Sequence, residues 1–168
     1  LFNSLNTISE MLSIDVDKTD LYVRKLIEIY HFILQNEDVD LIIMEEELKF
    51  VRQYFKLEKE REKERNALAM EVEDFENNLV IPVSVQKLIE NALKQNSPSA
   101  KKSLIISVKM ENGYMVISNK ITNRNRLEIP QQTGVLNLHD DIKLVTGGEI
   151  ITYQEDGSFV VSLPLIKA

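Results

Sequence analysis

The strongest constraint on the fold comes from residues 104–121, LIISVKMENGYMVISNKI, where two alternating β-branched runs flank Asn112-Gly113. Asn-Gly between two such runs is typical of a tight hairpin, because the glycine accepts the positive φ that the turn requires. A second hairpin is predicted in EIITYQEDGSFVVSLPLI, with its turn near Asp156-Gly157. The C-terminal part of the chain is therefore expected to contain β-hairpins.

The N-terminal part is predicted to be helical up to about residue 65, because its apolar residues recur at three- and four-residue steps. One helix is expected at the start of the chain, with a single apolar face that runs from Leu1 to Leu12. A second helix follows a polar break, with Asp20 as its N-terminal cap. A third helix is expected from Met44 into KLEKEREKER, whose alternating charges indicate a solvated or partner-facing surface.

After Arg65 the pattern changes to mixed elements. LAMEVEDF alternates as a strand does, a helix is expected to begin at Pro82, and residues 135–145 resemble a short helix between the two hairpins. Helices first, and then strands mixed with helices, are the order of an α+β chain with a helical region in front of it. The sequence shows neither an internal repeat nor a low-complexity segment.

Composition narrows the class of protein. The chain has 168 residues, 43% hydrophobic and 28% charged, which is a globular composition and enough for one domain with a helical appendage. Twenty-seven acidic residues against 20 basic ones give a net charge of −7. A broad nucleic-acid surface is therefore disfavoured, and no nucleic-acid partner is expected.

The sequence also disfavours several kinds of site and segment. It contains no cysteine, and its two histidines, His31 and His139, lie far apart, so disulfides and a zinc site are not expected. No apolar run reaches the roughly 18 residues that cross a bilayer, and no membrane contact by this fragment is expected. The chain begins at Leu1 inside an amphipathic pattern, which predicts a fragment of a longer protein.

The stretch KLIENALKQN, residues 87–96, crowds an acid, amides and a lysine into a few helical turns. At about 100° per residue, positions 88, 89 and 92 form one stripe, and positions 91, 94 and 95 form another. By itself, such a polar stripe is more often a solvated helix surface than a ligand site. The flanking segments must decide between the two readings.

Four segments, in chain order, resemble the LytS-type sensor histidine kinases: LFNSLNTI, EEELKFVRQYFKLEKER, IPVSVQKLIENALKQN and SFVVSLPLI. They are similar to that family's phosphoacceptor region, its second helix, the N box of its Bergerat ATP-binding fold, and its last strand. Within the second segment, Glu47, Tyr54, Glu58 and Arg61 stand at the family's intervals. Because the resemblance covers nearly the whole chain, we interpret KLIENALKQN as part of a nucleotide site.

The resemblance implies an α+β fold, in which an N-terminal helical dimerisation hairpin precedes a Bergerat, histidine-kinase-like α/β sandwich. Residues 1–66 would form the helical dimerisation and phosphotransfer-like region, and residues 67–168 the histidine-kinase-like ATP-binding domain. The phosphoacceptor histidine of the family would lie upstream of Leu1.

The resemblance also assigns roles to single residues, with ATP and Mg²⁺ as cofactors. Glu90 would be catalytic, accepting a proton or orienting the attacking imidazole. Asn91 would bind Mg²⁺ through its amide oxygen, a hard ligand that this cation favours. Lys94 would offset the charge of the triphosphate. Further cofactor-binding residues are expected at the adenine and in the glycine-rich box: Asn119, Gly134 and Asn137.

Four positions depart from the family's pattern. Asn119 replaces the aspartate that binds the adenine amine, and its amide can still accept a hydrogen bond but carries no charge. Gln132 replaces the first glycine of the glycine-rich box, where a side chain obstructs close approach of the backbone to a phosphate. Gln95 stands in place of the N-box histidine, and Asp141 in place of an arginine that follows the glycine-rich box.

The resemblance therefore implies the cytoplasmic core of a two-component sensor histidine kinase, with ATP-dependent autophosphorylation on histidine and phosphotransfer to a response regulator. The expected partners are a second copy of the chain in a homodimer, the response regulator and ATP. The chain would be a cytoplasmic fragment of a bacterial sensor anchored in the inner membrane. Two alternatives remain open: a pseudokinase of the same fold, and a dimeric interaction module with weak or no ATP binding.

The homodimer is also expected from the N-terminal helices themselves. The helices around Leu1–Leu12 and Met44–Phe55 each carry an apolar stripe that a single hairpin cannot fully bury. Pairing of two copies into a four-helix bundle would cover both stripes.

Overall fold

A computed structural model describes residues 2–61, 66–71, 77–95, 104–121 and 133–168 of the chain. No helix within these ranges is both long and apolar enough to cross a membrane. The helices and strands are, in chain order, α1 (Phe2–Leu12), α2 (Val16–Gln35), β1 (Ile42–Ile43), α3 (Met44–Arg61), β2 (Asn66–Met70), β3 (Asn78–Val80), α4 (Ser84–Gln95), β4 (Leu104–Glu111), β5 (Tyr114–Lys120), α5 (Thr133–Thr146), β6 (Ile151–Glu155), β7 (Ser158–Pro164) and β8 (Ile166–Lys167).

The larger of two sheets has the strand order β2-β4-β5-β7-β6. Its β2–β4 pair is parallel, and its other neighbouring strands are antiparallel. It contains both predicted hairpins, whose turns adopt positive φ at Asn112 (52°) and Gly113 (79°), and at Asp156 (49°) and Gly157 (71°). Both hairpin predictions are confirmed.

The smaller sheet, with the order β1-β3-β8, has no counterpart in the sequence-based prediction. Ile42 of β1 pairs with Val80 of β3, and Asn78 of β3 pairs with Lys167 of β8. Strands of two or three residues are too short to display an alternating pattern, which is why the sequence does not reveal them. This sheet joins the residues just before α3 to those just before α4.

The start of α2 differs from the prediction. The predicted cap, Asp20, lies inside the helix, where it forms an ion pair with Arg24 at 2.8 Å. Asp15 is the N-cap instead, because its backbone is extended and its side chain accepts a hydrogen bond from the N–H of Lys18 at 3.0 Å. Both aspartates have cap chemistry, and the apolar pattern alone does not choose between them.

Helix α4 lies on the larger sheet and contacts β4, β5, α3 and α5. It begins at Ser84, so the prediction that it begins at Pro82 is wrong by two residues. Its buried side chains join a single hydrophobic core that extends from α2 and α3 through α4 to the sheet. The division of the chain at residue 66 stays a prediction.

Candidate functional site

Helix α4 separates its side chains into a buried stripe and a half-buried one. Glu90 and Asn91 are half-buried, so they lie neither in the core nor fully in solvent. Lys94 lies in the last turn of the same helix. The stripe that packs into the core is apolar and consists of Val85, Leu88, Ile89 and Ala92.

Glu90 has a defined orientation on α4. Its Oε2 accepts a hydrogen bond from Nε2 of Gln86, one turn earlier, at 3.2 Å. Gln86 is 7% exposed, so the donor itself is held in a packed environment. A carboxylate held in this way can orient a group that approaches the helix, or accept a proton from it.

Asn119 lies on β5, the central strand of the larger sheet, and is buried. It shares a face of that strand with Met115 and Ile117, which belong to the hydrophobic core. Its Nδ2 donates a hydrogen bond to the carbonyl oxygen of Lys120 at 3.3 Å, and Oδ1 is therefore the accepting atom of the amide. This arrangement suits contact with an amine donor such as that of adenine.

The two predicted residues of the glycine-rich box, Gly134 and Asn137, lie at the start of α5. This helix contacts α4 and is anchored by buried Leu138. Asp141, at the position of the family's arginine, is exposed on α5. Gln132 lies outside the described residues.

The elements that carry the predicted residues are neighbours in space. Helix α4 contacts both β5 and α5, so the helix with Glu90 and Asn91 lies beside the strand with Asn119 and beside the helix with Gly134. The roles assigned to these residues stay predictions.

Glu47 of α3 reaches the turn in front of α4 and is fully buried. Its Oε2 accepts a hydrogen bond from the N–H of Val83 at 2.8 Å, and its Oε1 accepts one from the N–H of Val85 at 3.0 Å. Burial raises the pKa of Glu47 to about 7, against the opposing effect of the N–H groups of Val83, Val85 and Gln86. From the sequence, Glu47 is recognised only by its position in the spacing of the family's second helix. Its hydrogen-bond partners are backbone atoms far along the chain, and the sequence does not identify them.

The oxygen atoms at this site suit ATP bound with Mg²⁺. Asn91 offers an amide oxygen, a hard ligand of the kind that magnesium prefers. Among the residues that the structure describes, no cluster of three or more His, Cys, Asp and Glu side chains forms a metal cage. Magnesium commonly takes one or two protein ligands together with water and phosphate oxygens, so the residues present fit this cation.

Comparison with known proteins shows what the chain is similar to. Residues 1–66 match the profile of the family described as histidine kinase. Over 108 residues, the chain is 35% identical to the sensor histidine kinase/phosphatase LytS of Staphylococcus aureus (strain MRSA252), which covers 64% of this chain and 18% of that protein. Over 147 residues, it is 27% identical to the sensor protein LytS of Staphylococcus saprophyticus, covering 79% of this chain and 25% of that protein. The chain thus spans about a fifth of the length of these relatives.

Solved structures share the fold at low sequence identity. The cytoplasmic segment of histidine kinase QseC superposes with a TM-score of 0.56 at 12% identity, covering 91% of this chain and 95% of that one. The catalytic domain of histidine kinase ThkA gives a TM-score of 0.50 at 15% identity, covering 74% and 94% of the two chains. The predicted α+β fold of the Bergerat, histidine-kinase-like type is confirmed, as is the resemblance to LytS-type kinases.

Proposed function

We propose, for this relative of the LytS-type sensor histidine kinases, the function of an ATP-dependent kinase core in a two-component system. It would bind ATP with Mg²⁺, phosphorylate a histidine and pass the phosphoryl group to a response regulator. One arrangement carries this proposal: an oriented Glu90 and a half-buried Asn91 on α4 lie beside the strand that holds a buried acceptor, Asn119.

In the proposed reaction, the bond between the γ-phosphorus and the bridging oxygen of ATP breaks as a bond from that phosphorus to an imidazole nitrogen forms. Phosphoryl transfer depends mainly on positioning and electrostatics. Glu90, held by Gln86, would orient the imidazole and accept its proton. Asn91 and Lys94 would act at the phosphates, and Asn119 at the adenine. Magnesium, when bound, would neutralise charge on the phosphate oxygens.

The acceptor histidine is proposed to lie upstream of Leu1, in the longer protein to which this chain would belong. Residues 1–66 would then complete the helical dimerisation and phosphotransfer region, and residues 67–168 would bind the nucleotide. We place the chain on the cytoplasmic side of a bacterial inner membrane, anchored by segments outside residues 1–168. The much greater length of the LytS relatives supports this placement.

The exposed apolar residues of the N-terminal helices support a homodimer. On α1, Leu5 and Leu12 are 52% and 56% exposed, and on α2, Ile27 and Leu34 are 61% and 66% exposed. Each pair is seven residues apart and therefore lies on one helix face. The stripe of α3 is buried within a single copy, by packing on α2 of the hairpin and on α4 outside it. A second copy would thus pack on α1 and α2.

A pseudokinase of the same fold is the second candidate. Asn119 offers a neutral amide where the family has a carboxylate, and Asp141 presents an acidic side chain to solvent where the family has an arginine. Both changes weaken attraction for the nucleotide, the first at the adenine amine and the second at the phosphates. This protein would keep the fold and the dimer and lose phosphorylation.

Calorimetric titration with ATP separates these functions. We expect the chain to bind ATP more tightly with Mg²⁺ than with EDTA, and Asn91→Ala to remove that difference because the amide oxygen is lost. Asn91→Asp should retain metal binding, and Arg24→Ala, at an exposed ion pair on α2, is the matched control. Absence of binding at millimolar ATP would overturn the kinase proposal. Radiolabelled ATP and a protein extended to the upstream histidine then test phosphorylation.

A further inference from the structure

The contact between Glu47 and the turn before α4 joins two segments that are distant in sequence. The carboxylate uses both oxygens, accepting from the N–H of Val83 at 2.8 Å and from the N–H of Val85 at 3.0 Å. The first N–H groups of a helix lack partners within that helix, and an anion is favoured at this end. Glu47, a residue of α3, therefore acts as the N-terminal cap of α4.

The turn that Glu47 holds is strained. Val83 has a φ of +63°, in the left-handed region that a β-branched residue rarely adopts. Such a conformation persists only where surrounding contacts impose it. The hydrogen bond from the N–H of Val83 to Glu47 is a contact of this kind, and the hydroxyl of Ser84 adds another by donating to the carbonyl of Ile81 at 2.6 Å.

The surrounding contacts make the link between α3 and α4 direct. The β1–β3 pairing, with Ile42 opposite Val80, ties the residues before α3 to the residues before α4. Helices α3 and α4 also contact each other directly. Glu47 lies one turn into α3 and is fully buried. A rotation of α3 would therefore move the carboxylate and, with it, the turn to which the carboxylate is bonded.

We infer that Glu47 is a positioning residue that couples the helical region to the nucleotide site, by fixing the turn from which α4 projects Glu90 and Asn91. Rotation of α3 would then be transmitted to α4 through two hydrogen bonds and a strained turn. The functional consequence of this coupling rests on the proposed function, because α4 is the helix expected to hold Mg²⁺ and ATP. The contact itself is independent of that function.

The test is a double-mutant cycle on the full chain with Glu47→Gln and Val83→Gly. Glutamine can accept only one of the two N–H bonds, because its Nε2 is a donor. We expect Glu47→Gln to weaken Mg²⁺-dependent ATP affinity about tenfold and to speed hydrogen exchange at the N–H of Val83 or Val85 by a similar factor. Glycine adopts the left-handed turn without strain, so in the Val83→Gly background Glu47→Gln should weaken affinity about threefold or less.

Ile29→Ala is the matched control. It removes a buried side chain of α2, a helix that contains neither the turn nor the site residues, so it tests whether general destabilisation changes the affinity. All variants are compared at a temperature where each remains folded by circular dichroism. If Glu47→Gln does not fold, Glu47→Asp keeps the charge, withdraws it by one methylene, and should give the same pattern with smaller changes.

The outcomes separate this inference from the proposed function. Unchanged ATP affinity in Glu47→Gln, with faster exchange confined to the turn, would overturn the coupling. Equal losses with and without Val83→Gly would do the same, as would an equal loss in Ile29→Ala. If the wild type binds no ATP, amide chemical shifts decide: changes from Glu47→Gln that extend along α4 to Glu90 and Asn91 support the coupling, and changes that stop at residue 86 overturn it.

Discussion

Gln86 donates a hydrogen bond from its Nε2 to Oε2 of Glu90 at 3.2 Å, and the two residues stand one turn apart on α4. Gln86 is buried, whereas Glu90 is half-buried. A donor held in the packed interior therefore fixes the direction of a carboxylate at the edge of the core. Because the amide is neutral, Gln86 contributes orientation rather than charge.

Gln86→Leu removes this donor while keeping a side chain of similar size in the core. In a protein extended to the acceptor histidine, we expect the rate of autophosphorylation to fall about tenfold or more, because Glu90 would act on the imidazole. The KM for ATP should stay within about threefold of wild type, because Gln86 does not act on the nucleotide. Single-turnover and steady-state kinetics measure the two quantities. A raised KM with an unchanged rate would instead assign Gln86 to nucleotide binding.

Asn119→Asp should strengthen adenine binding and weaken the protein without ligand. A carboxylate accepts from the adenine amine more strongly than an amide does, and a gain of about 1.4 kcal/mol would tighten ATP binding about tenfold. Without ATP, the buried charge loses the bond to the Lys120 carbonyl, so the melting temperature should fall. Titration calorimetry and thermal melting measure these two effects.

Ser118→Asp is the control for that substitution. Ser118 precedes Asn119 on β5 and points to the opposite face of the strand, so it introduces the same charge away from α4. ATP affinity should not rise in this variant. Equal tightening in both variants would mean that net charge, and not the acceptor at position 119, sets the affinity.

The buried carboxyl of Glu47 predicts a pH dependence of stability. Its pKa is raised from 4.5 to about 7, chiefly by burial, while three backbone N–H groups and Lys87 oppose the rise. Between these two values the folded state holds a proton that the unfolded state releases, so the free energy of unfolding should decrease as pH rises from 4.5 through 7. At about 1.4 kcal/mol per pH unit, the decrease attributable to Glu47 is at most about 3 kcal/mol.

Urea unfolding of the wild type and Glu47→Gln between pH 4.5 and 7.5 measures this decrease. Glutamine does not titrate, so the difference in free energy between the two proteins isolates Glu47 from the other ionisable groups. The wild type should lose stability relative to the variant as pH rises. Parallel curves would show that the carboxyl titrates alike in the folded and unfolded states.

Ile27→Lys should disrupt the proposed dimer without unfolding the protomer. Ile27 is 61% exposed on α2, so lysine costs the isolated chain little, but it would bury a charge against a second copy. We expect the dimer dissociation constant to rise at least about tenfold in sedimentation equilibrium. Leu144→Lys, at an 86% exposed position of α5, is the control and should leave association unchanged. A wild type that remains monomeric at high micromolar concentration would contradict the dimer.

Short-range chemistry made the two hairpins predictable from sequence. Asn112-Gly113 and Asp156-Gly157 carry their turn conformation in their own backbone preferences, and the alternating runs beside them specify the strands. The cap of α2 was harder, because Asp15 and Asp20 have the same chemistry and only the three-dimensional start of the helix distinguishes them.

Long-range contacts could not be predicted in this way. The partners of Glu47 are main-chain N–H groups, 36 and 38 residues away. Because nearly every residue has such a group, the sequence does not show which ones bind the carboxylate. Glu90 and Asn91 were found through their N-box pattern, whereas the orientation that Gln86 gives to Glu90 follows from helix geometry and packing together. A pattern therefore located the candidate site, and folding supplied the groups that orient it.

The last residues of the smaller sheet have a practical consequence for mechanical and labelling experiments. Ala168, which follows β8, donates a hydrogen bond to the carbonyl of Asn77 at 2.8 Å. Leu165, which precedes β8, donates one to the carbonyl of Gly113 at 3.0 Å. Strand β3 lies between β8 and β1, so a tensile load applied at Ala168 passes through β3 toward the starts of both α4 and α3. A surface tether or fluorophore at this end therefore needs a long, slack linker, because a taut one would pull on both segments that the Glu47 carboxylate joins.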